Sequence, residues 1–208
     1  MIFNWIQRFR HSRGYGVHSP FAFDFITNVV NEKHWYYAFT DLEYILLSNG
    51  IDIHNYNFYH LSYRLIMFFK PKTVLEMGFN NVVNTLFICH PDKELLCYSL
   101  GNDHQTEVLA TKLLESIGRR ALFLDQLDKD IKVDSIFLDV RQDSIDVEKM
   151  FLKSNRDAFW VIRGVDTRQG RRLWKSIVSD SRVSITFNNK DVGIVLLNKS
   201  YKKQNYLI

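Results

Sequence analysis

Beyond Pro71 the sequence alternates short apolar runs with helix-patterned segments, and that order constrains the fold more than any other feature of the chain. Strand character falls at residues 73–77, 95–100, 121–124, 134–140 and 159–162, each a short run rich in aliphatic, β-branched or aromatic side chains. Helices are predicted between them: at 82–90, from Asn102 or Asp103 to a stop at Gly118, at 146–151, and after a capping-box-like Asp166 to Gln169. Residues 183–187 and 192–197, joined by Asn188-Asn189-Lys190, read as an antiparallel hairpin. Apolar strands separated by helices pack as a mostly parallel sheet covered on both faces. The expected fold class is therefore α/β and Rossmann-like. In such sheets ligands gather beyond the carboxyl ends of the strands, where strand order reverses. A site is expected among residues 76–84, 100–103, 139–143 and 163–168.

Before Pro71 the signals are helical. Ser19-Pro20 reads as an N-cap followed by proline at the first helical position, with Phe21, Phe25 and Val29 along one face. Thr40-Asp41-Leu42-Glu43 fits a capping box that would open a second helix. Phe58, Leu61, Leu65, Phe68 and Phe69 form the apolar face of a third, which Lys70-Pro71 ends. The chain thus divides into a helical N-terminal cap at 1–70, an α/β domain at 71–200 and a tail at 201–208, in one globular unit. With 208 residues, 46% of them hydrophobic, there is enough apolar material for one sizeable core.

Several classes are disfavoured. A net charge of +4, without a clustered basic stripe, does not suggest nucleic-acid binding. No apolar run approaches the roughly 20 residues that cross a bilayer. Cys89 and Cys97 sit in no metal-ligand spacing, so two ordinary thiols in a reduced, cytoplasmic protein are expected. Residues 1–13 mix Trp5, Ile6 and Phe9 with arginines, as in a short amphipathic helix packed on the body.

Several stretches resemble one family. Arg13-Gly14-Tyr15-Gly16-Val17-His18-Ser19-Pro20-Phe21 is similar to the opening of bacterial class I S-adenosylmethionine (SAM)-dependent methyltransferases related to the small-molecule O-methyltransferases. The stretch Phe69 to Gly78 resembles the approach to their cofactor loop, and Asp134 to Asp139 their fourth strand. Gly170 to Trp174 and the two arms of the hairpin resemble their last helix and hairpin. The resemblance implies a seven-stranded sheet whose last strand is antiparallel. It also implies SAM as cofactor and Glu76, Gly78, Asn80, Asp103 and Asp139 as its contacts. Asp139 and His18 become the candidate catalytic residues, and small-molecule O-methylation the expected reaction.

The same positions depart from the family's pattern. Only Gly78 remains of the glycines in the cofactor loop, and Phe79 and Val82 bring bulk where small residues are usual. The acid that would accept the ribose hydroxyls is Gly101, with Asp103 two residues on, equally suited to capping a helix. Metal-dependent relatives place an Asp after the fourth strand and an acid–amide or acid–acid pair after the fifth. Asp139 matches the first, but the pair is Arg163 and Gly164, and a guanidinium repels a cation. No metal is therefore expected, and Asp139 is free to pair with Arg141 or Arg163. His18 beside a helix start is equally read as a packed structural residue. A pocket lined by Arg141, Arg163 and Arg168 favours an anion. Two functions compete: SAM-dependent O-methylation of a small molecule, or an inactive pseudo-methyltransferase that binds another, anionic, ligand or a protein partner. Tyr15, Trp35, Tyr36 and Tyr37 belong to the cap, and exposed aromatics there are compatible with a homodimer.

Overall fold

The computed structural model describes residues 19–54, 56–79, 81–126, 128–142 and 146–208, so the candidate residues His18 and Asn80 lie outside the described residues. Among the described residues, three helices precede the sheet: α1 (Pro20–Phe25), running on into a π-helical turn at Ile26–Val30, α2 (Tyr37–Ser48) and α3 (Tyr56–Phe69). The order then alternates through β1 (Thr73–Met77), α4 (Val82–Cys89), β2 (Leu96–Leu100), α5 (His104–Ser116), β3 (Ala121–Leu124), β4 (Val133–Asp139), α6 (Val147–Lys153), β5 (Ser154–Arg163) and α7 (Arg168–Ser179). It closes with β6 (Ile185–Asn189), β7 (Val192–Leu196) and β8 (Gln204–Leu207).

The helix starts follow local chemistry where a side chain is free to cap. Ser19 Oγ accepts from Ala22 N, with Pro20 at the first turn, as its sequence suggests. Thr167, one residue beyond the expected Asp166, caps α7 by accepting from Gly170 N. The Thr40–Glu43 capping box is overruled. These residues lie inside α2: Thr40 Oγ1 accepts from Trp35 Nε1 just ahead of the helix, and Glu43 meets His60 Nε2 of α3 at 3.1 Å.

The sheet order is β3-β2-β1-β4-β5-β7-β6-β8, with β7 alone antiparallel to its neighbours. Strand order reverses between β1 and β4. The expectation of seven strands needs one correction: β8, in the segment assigned to a tail, pairs parallel to β6 as an eighth. Its pattern is too short and polar to stand out in sequence. It is held by Tyr206, which pairs with Phe187 and stacks on it with ring centroids 5.2 Å apart.

Strand alternation sorts side chains between two cores. Val74, Phe137, Phe159 and Val161 face the side covered by α1 to α5, whereas Leu75, Ile136, Leu138, Trp160 and Ile162 face α6 and α7. Trp160 is fully buried there and its indole N–H donates to Ser154 Oγ at 2.8 Å, which satisfies its one polar atom. Among the described residues, no helix is long and apolar enough to cross a membrane.

Cys89 at the end of α4 and Cys97 in β2 are both buried and unbridged. A hydrogen bond with Cys89, together with burial, raises the Cys97 thiol well above its ordinary range. A thiol reagent added to the native protein is therefore expected to label neither cysteine, and to label both after denaturation. Rapid labelling of the native chain would show that α4 opens away from β2.

Candidate functional site

The same two-residue alternation that builds the core places four polar side chains on one face at the carboxyl ends of the central strands. Glu76 follows Val74, Ser99 follows Cys97, Asp139 follows Phe137 and Arg163 follows Val161, all toward the helical cap. Register makes them neighbours: Glu76 pairs with Ser99, and Asp139 with Arg163. This is the edge at which a doubly wound sheet accepts ligands.

Glu76 is completely buried. Its Oε1 accepts from Asn84 Nδ2 at 2.7 Å, and its Oε2 accepts from Thr85 Oγ1 at 2.6 Å and Ser99 Oγ at 3.0 Å. Ser62 Oγ donates to Asn84 Oδ1 at 2.9 Å and Asn102 Nδ2 donates to Ser99 Oγ at 2.8 Å. The carboxylate thereby ties β1 to α4, β2, α3 and the loop after β2. Burial pushes its pKa up to about 7, and the hydrogen bonds from Thr85, Asn84 and Ser99 hold it from rising further. Its sequence neighbours gave no hint of these partners. The available signal was the small polar residues at 84, 85 and 99, each on an otherwise apolar element.

Gly78 turns the chain after β1 with φ of 75°, a left-handed conformation suited to glycine. Phe79 follows and is buried, stacking on Phe58 of α3 at 5.6 Å. Asn81 caps α4 by accepting from Val83 N, and Val82 is buried behind it. At the end of β2, Gly101 has φ of 76° and offers no side chain. Asp103 is exposed and caps α5: its carboxylate accepts from Thr106 N at 2.9 Å and Thr106 Oγ1 at 3.0 Å. Those bonds lower its pKa.

Asp139 is held from its own side of the turn. Its Oδ1 accepts from Arg141 N at 3.0 Å and from Arg141 Nε at 2.8 Å, while Arg141 Nη2 donates to Oδ2. Arg163 Nη1 stands 3.8 Å from the same Oδ2, an ion pair too long for a hydrogen bond. The Arg163 guanidinium lies over Phe58 at 4.7 Å and Tyr59 at 5.7 Å from the ring centroids. These two aromatic residues of α3 were not expected at the site. They become neighbours only in the folded chain, where α3 brings both rings near the Arg163 guanidinium.

A cavity of about 800 Å³ lies on the cap side; Phe58 belongs to its wall, but Glu76, Asp139, Arg141 and Arg163 do not line it. Its walls include Phe58, Trp35, His60, Arg64, Lys190 and Val192. Its His60 is buried, stacked on Phe39 at 3.8 Å, and burial followed by Arg64 lowers its pKa to about 4, so the ring is neutral. Arg168, at the start of α7, borders a different depression with Asp146 and Arg172, away from Arg141 and Arg163. Among the described residues, no group of three or more His, Cys, Asp or Glu side chains is arranged to hold a metal.

No protein-family model and no curated protein matches this sequence. Solved structures match its fold. A methyltransferase from Geobacter sulfurreducens superposes with a TM-score of 0.61 at 13% identity, covering 80% of this chain and 91% of that one. An O-methyltransferase from Bacillus cereus, in complex with S-adenosylhomocysteine (SAH), gives 0.57 at 16% identity over 85% and 96% of the two chains. The O-methyltransferase TomG from Streptomyces achromogenes, in complex with SAM, gives 0.53 at 14% identity over 79% and 91%. With the strand order, the reversed β7 and the glycine turn after β1, these likenesses give the chain the fold of the class I O-methyltransferases.

Proposed function

We propose that this chain is a methyltransferase-fold protein that does not transfer methyl groups and instead binds an anionic ligand at the carboxyl edge of its sheet. The observation that carries this reading is the engagement of Asp139 by Arg141, with the Arg163 guanidinium beside it. The fold implies SAM, and the side chains do not fit it. No carboxylate stands at the end of β2 to accept ribose hydroxyls, since Gly101 has no side chain and Asp103 is committed to capping α5. Glu76 is buried with both oxygens engaged. Phe79 and Val82 are packed into the core at the loop. Two guanidiniums against the single Asp139 carboxylate leave a net positive charge at the ends of β4 and β5, which disfavours a sulfonium cation.

A second reading, an active O-methyltransferase acting on a small molecule, is favoured by one specific feature: Gly78 keeps the left-handed turn that lets a backbone approach a cofactor closely. The SAM- and SAH-bound structures of the same fold add to it. Calorimetric titration with SAM and with SAH separates the two. The first reading expects no saturable heat from folded protein with either. Micromolar binding, about −8 kcal/mol, would overturn the misfit with SAM on which the first reading rests, and methyl transfer to a small-molecule acceptor would then establish the second.

A further inference from the structure

Helix α7 sorts its side chains into two opposite stripes. Gly170, Leu173, Trp174 and Ile177 pack inward: Gly170 lies against the Gly164 backbone, and the other three join the second core. Arg168, Arg171, Arg172 and Lys175 recur at the same three- and four-residue intervals and are all exposed. In the linear chain the two sets are interleaved, and only the helix separates them. No acid falls within the helix, and among the described residues none of the four cations forms an ion pair. Arg171 Nη1 donates to the Asp166 carbonyl oxygen. The chain has 27 basic and 23 acidic residues. Outside α7 the two signs balance, so the formal net charge of +4 equals the charge of this stripe. The arrangement works against the helix itself. Like charges three and four residues apart repel, and Arg168 stands at the first helical position, where the helix dipole disfavours a cation. No acid in the first turn offsets either effect.

We propose that the exposed side of α7 binds the phosphate backbone of a nucleic-acid strand, without reading its bases. This surface is separate from the carboxyl edge of the sheet, and the inference does not depend on what binds there. From Arg168 to Lys175 the stripe runs about 10.5 Å along the helix axis, which matches about three nucleotide steps at roughly 3.4 Å per strand. Three of its four cations are arginines, whose planar forks pair with phosphate oxygens. Arg168 and Arg172 also line a recess of about 710 Å³ beside the first turn of α6, which gives the strand a bed next to the stripe. The one acid on its wall, Asp146, is engaged as the cap of α6, accepting from Glu148 N. A lipid surface fits less well. None of the large exposed hydrophobic side chains belongs to α7, so the helix has nothing to insert beneath the headgroups. The mild net charge alone does not suggest a nucleic acid; its concentration on one helix face does.

The test measures fluorescence anisotropy of a labelled oligouridylate and, separately, of a labelled DNA duplex of random sequence, each titrated with the full chain from about 50 to 200 mM salt. At least one probe should bind, and the tighter one tells whether the strand recognised is single or paired. Four phosphate contacts predict a log–log salt slope of about −3 to −4. The double variant Arg168→Gln/Arg172→Gln should weaken binding at least about tenfold and flatten the slope by roughly 1.4–1.8. Glutamine keeps a similar helix propensity and removes repulsion, so this variant folds. Lys93→Gln/Lys112→Gln removes two exposed charges before β2 and on α5 and should leave binding unchanged. Failure of both probes to bind at low salt overturns the proposal, as does equal loss in the Lys93/Lys112 variant or unchanged binding in the Arg168/Arg172 variant. Tighter, stripe-dependent binding of phosphatidylserine vesicles or of polyglutamate would overturn it in favour of a lipid surface or an acidic protein.

Discussion

Glu76→Gln is expected to flatten the pH dependence of stability and to make the protein more stable than wild type at pH 8. In the folded chain the Glu76 carboxyl holds its proton up to about pH 7, against an ordinary value of 4.5. Between those values the folded state binds a proton that the unfolded state has released, so raising the pH favours unfolding. The stability linked to this group is fully present below about pH 4.5, falls through the window and is gone above about pH 7. At about 1.4 kcal/mol per pKa unit, the difference amounts to roughly 3 kcal/mol. Glutamine has no proton to lose, and its amide can still accept from Asn84 and donate toward Thr85 and Ser99. Urea unfolding of both proteins at pH 5, 6.5 and 8 checks this. The two stability profiles should diverge as pH rises; parallel profiles would mean that Glu76 is ionised throughout. The same network reaches Asn102, so amide exchange in the loop after β2 should quicken over the same pH range more steeply in wild type than in Glu76→Gln.

Gly170→Ala is expected to cost about 3 kcal/mol, the upper end of what overpacking does. A Cβ at residue 170 would lie 2.0 Å from the Gly164 carbonyl oxygen and 2.8 Å from Val165 Cα. Both are backbone atoms and cannot rotate aside. The strand end is itself fixed: Gly164 N donates to Asp191 O at 2.7 Å, and Thr167 Oγ1 donates to Gly164 O at 2.7 Å. The methyl must push the first turn of α7 off β5, breaking the Thr167 cap as well. For a chain of this size the melting temperature should fall by roughly 6–12 °C. A loss under about 1 kcal/mol would show that α7 can slide along the strand end without harm. Because Gly164 follows Arg163 directly, the variant should also weaken any anion bound at that guanidinium.

How far the sequence reached can be followed through particular residues. Ser19-Pro20 and Gly118 marked helix ends because their cues act within a few residues of backbone. The Thr40–Glu43 motif misled because other side chains, Trp35 just ahead of the helix and His60 on α3, engage the same side-chain atoms. Strand β8 was missed because four residues at an edge carry almost no periodic signal, and Tyr206 is informative only once Phe187 is beside it. Asp139 and Arg163 were both singled out in the sequence, yet no rule of spacing says that they share a rung of the sheet.

The sequence by itself determined the α/β class, the positions of the first five strands and the edge at which a site would form. Those follow from periodicity and from the polarity of strand ends, both local properties of the chain. Only the tertiary structure decided the chemistry of that edge. Register set Arg163 beside Asp139, α3 laid Phe58 and Tyr59 under the guanidinium, and Arg141 took the carboxylate first. All but the Asp139–Arg141 pair join residues tens of positions apart, and the energies of all of them depend on distance and burial, which no one-dimensional pattern carries.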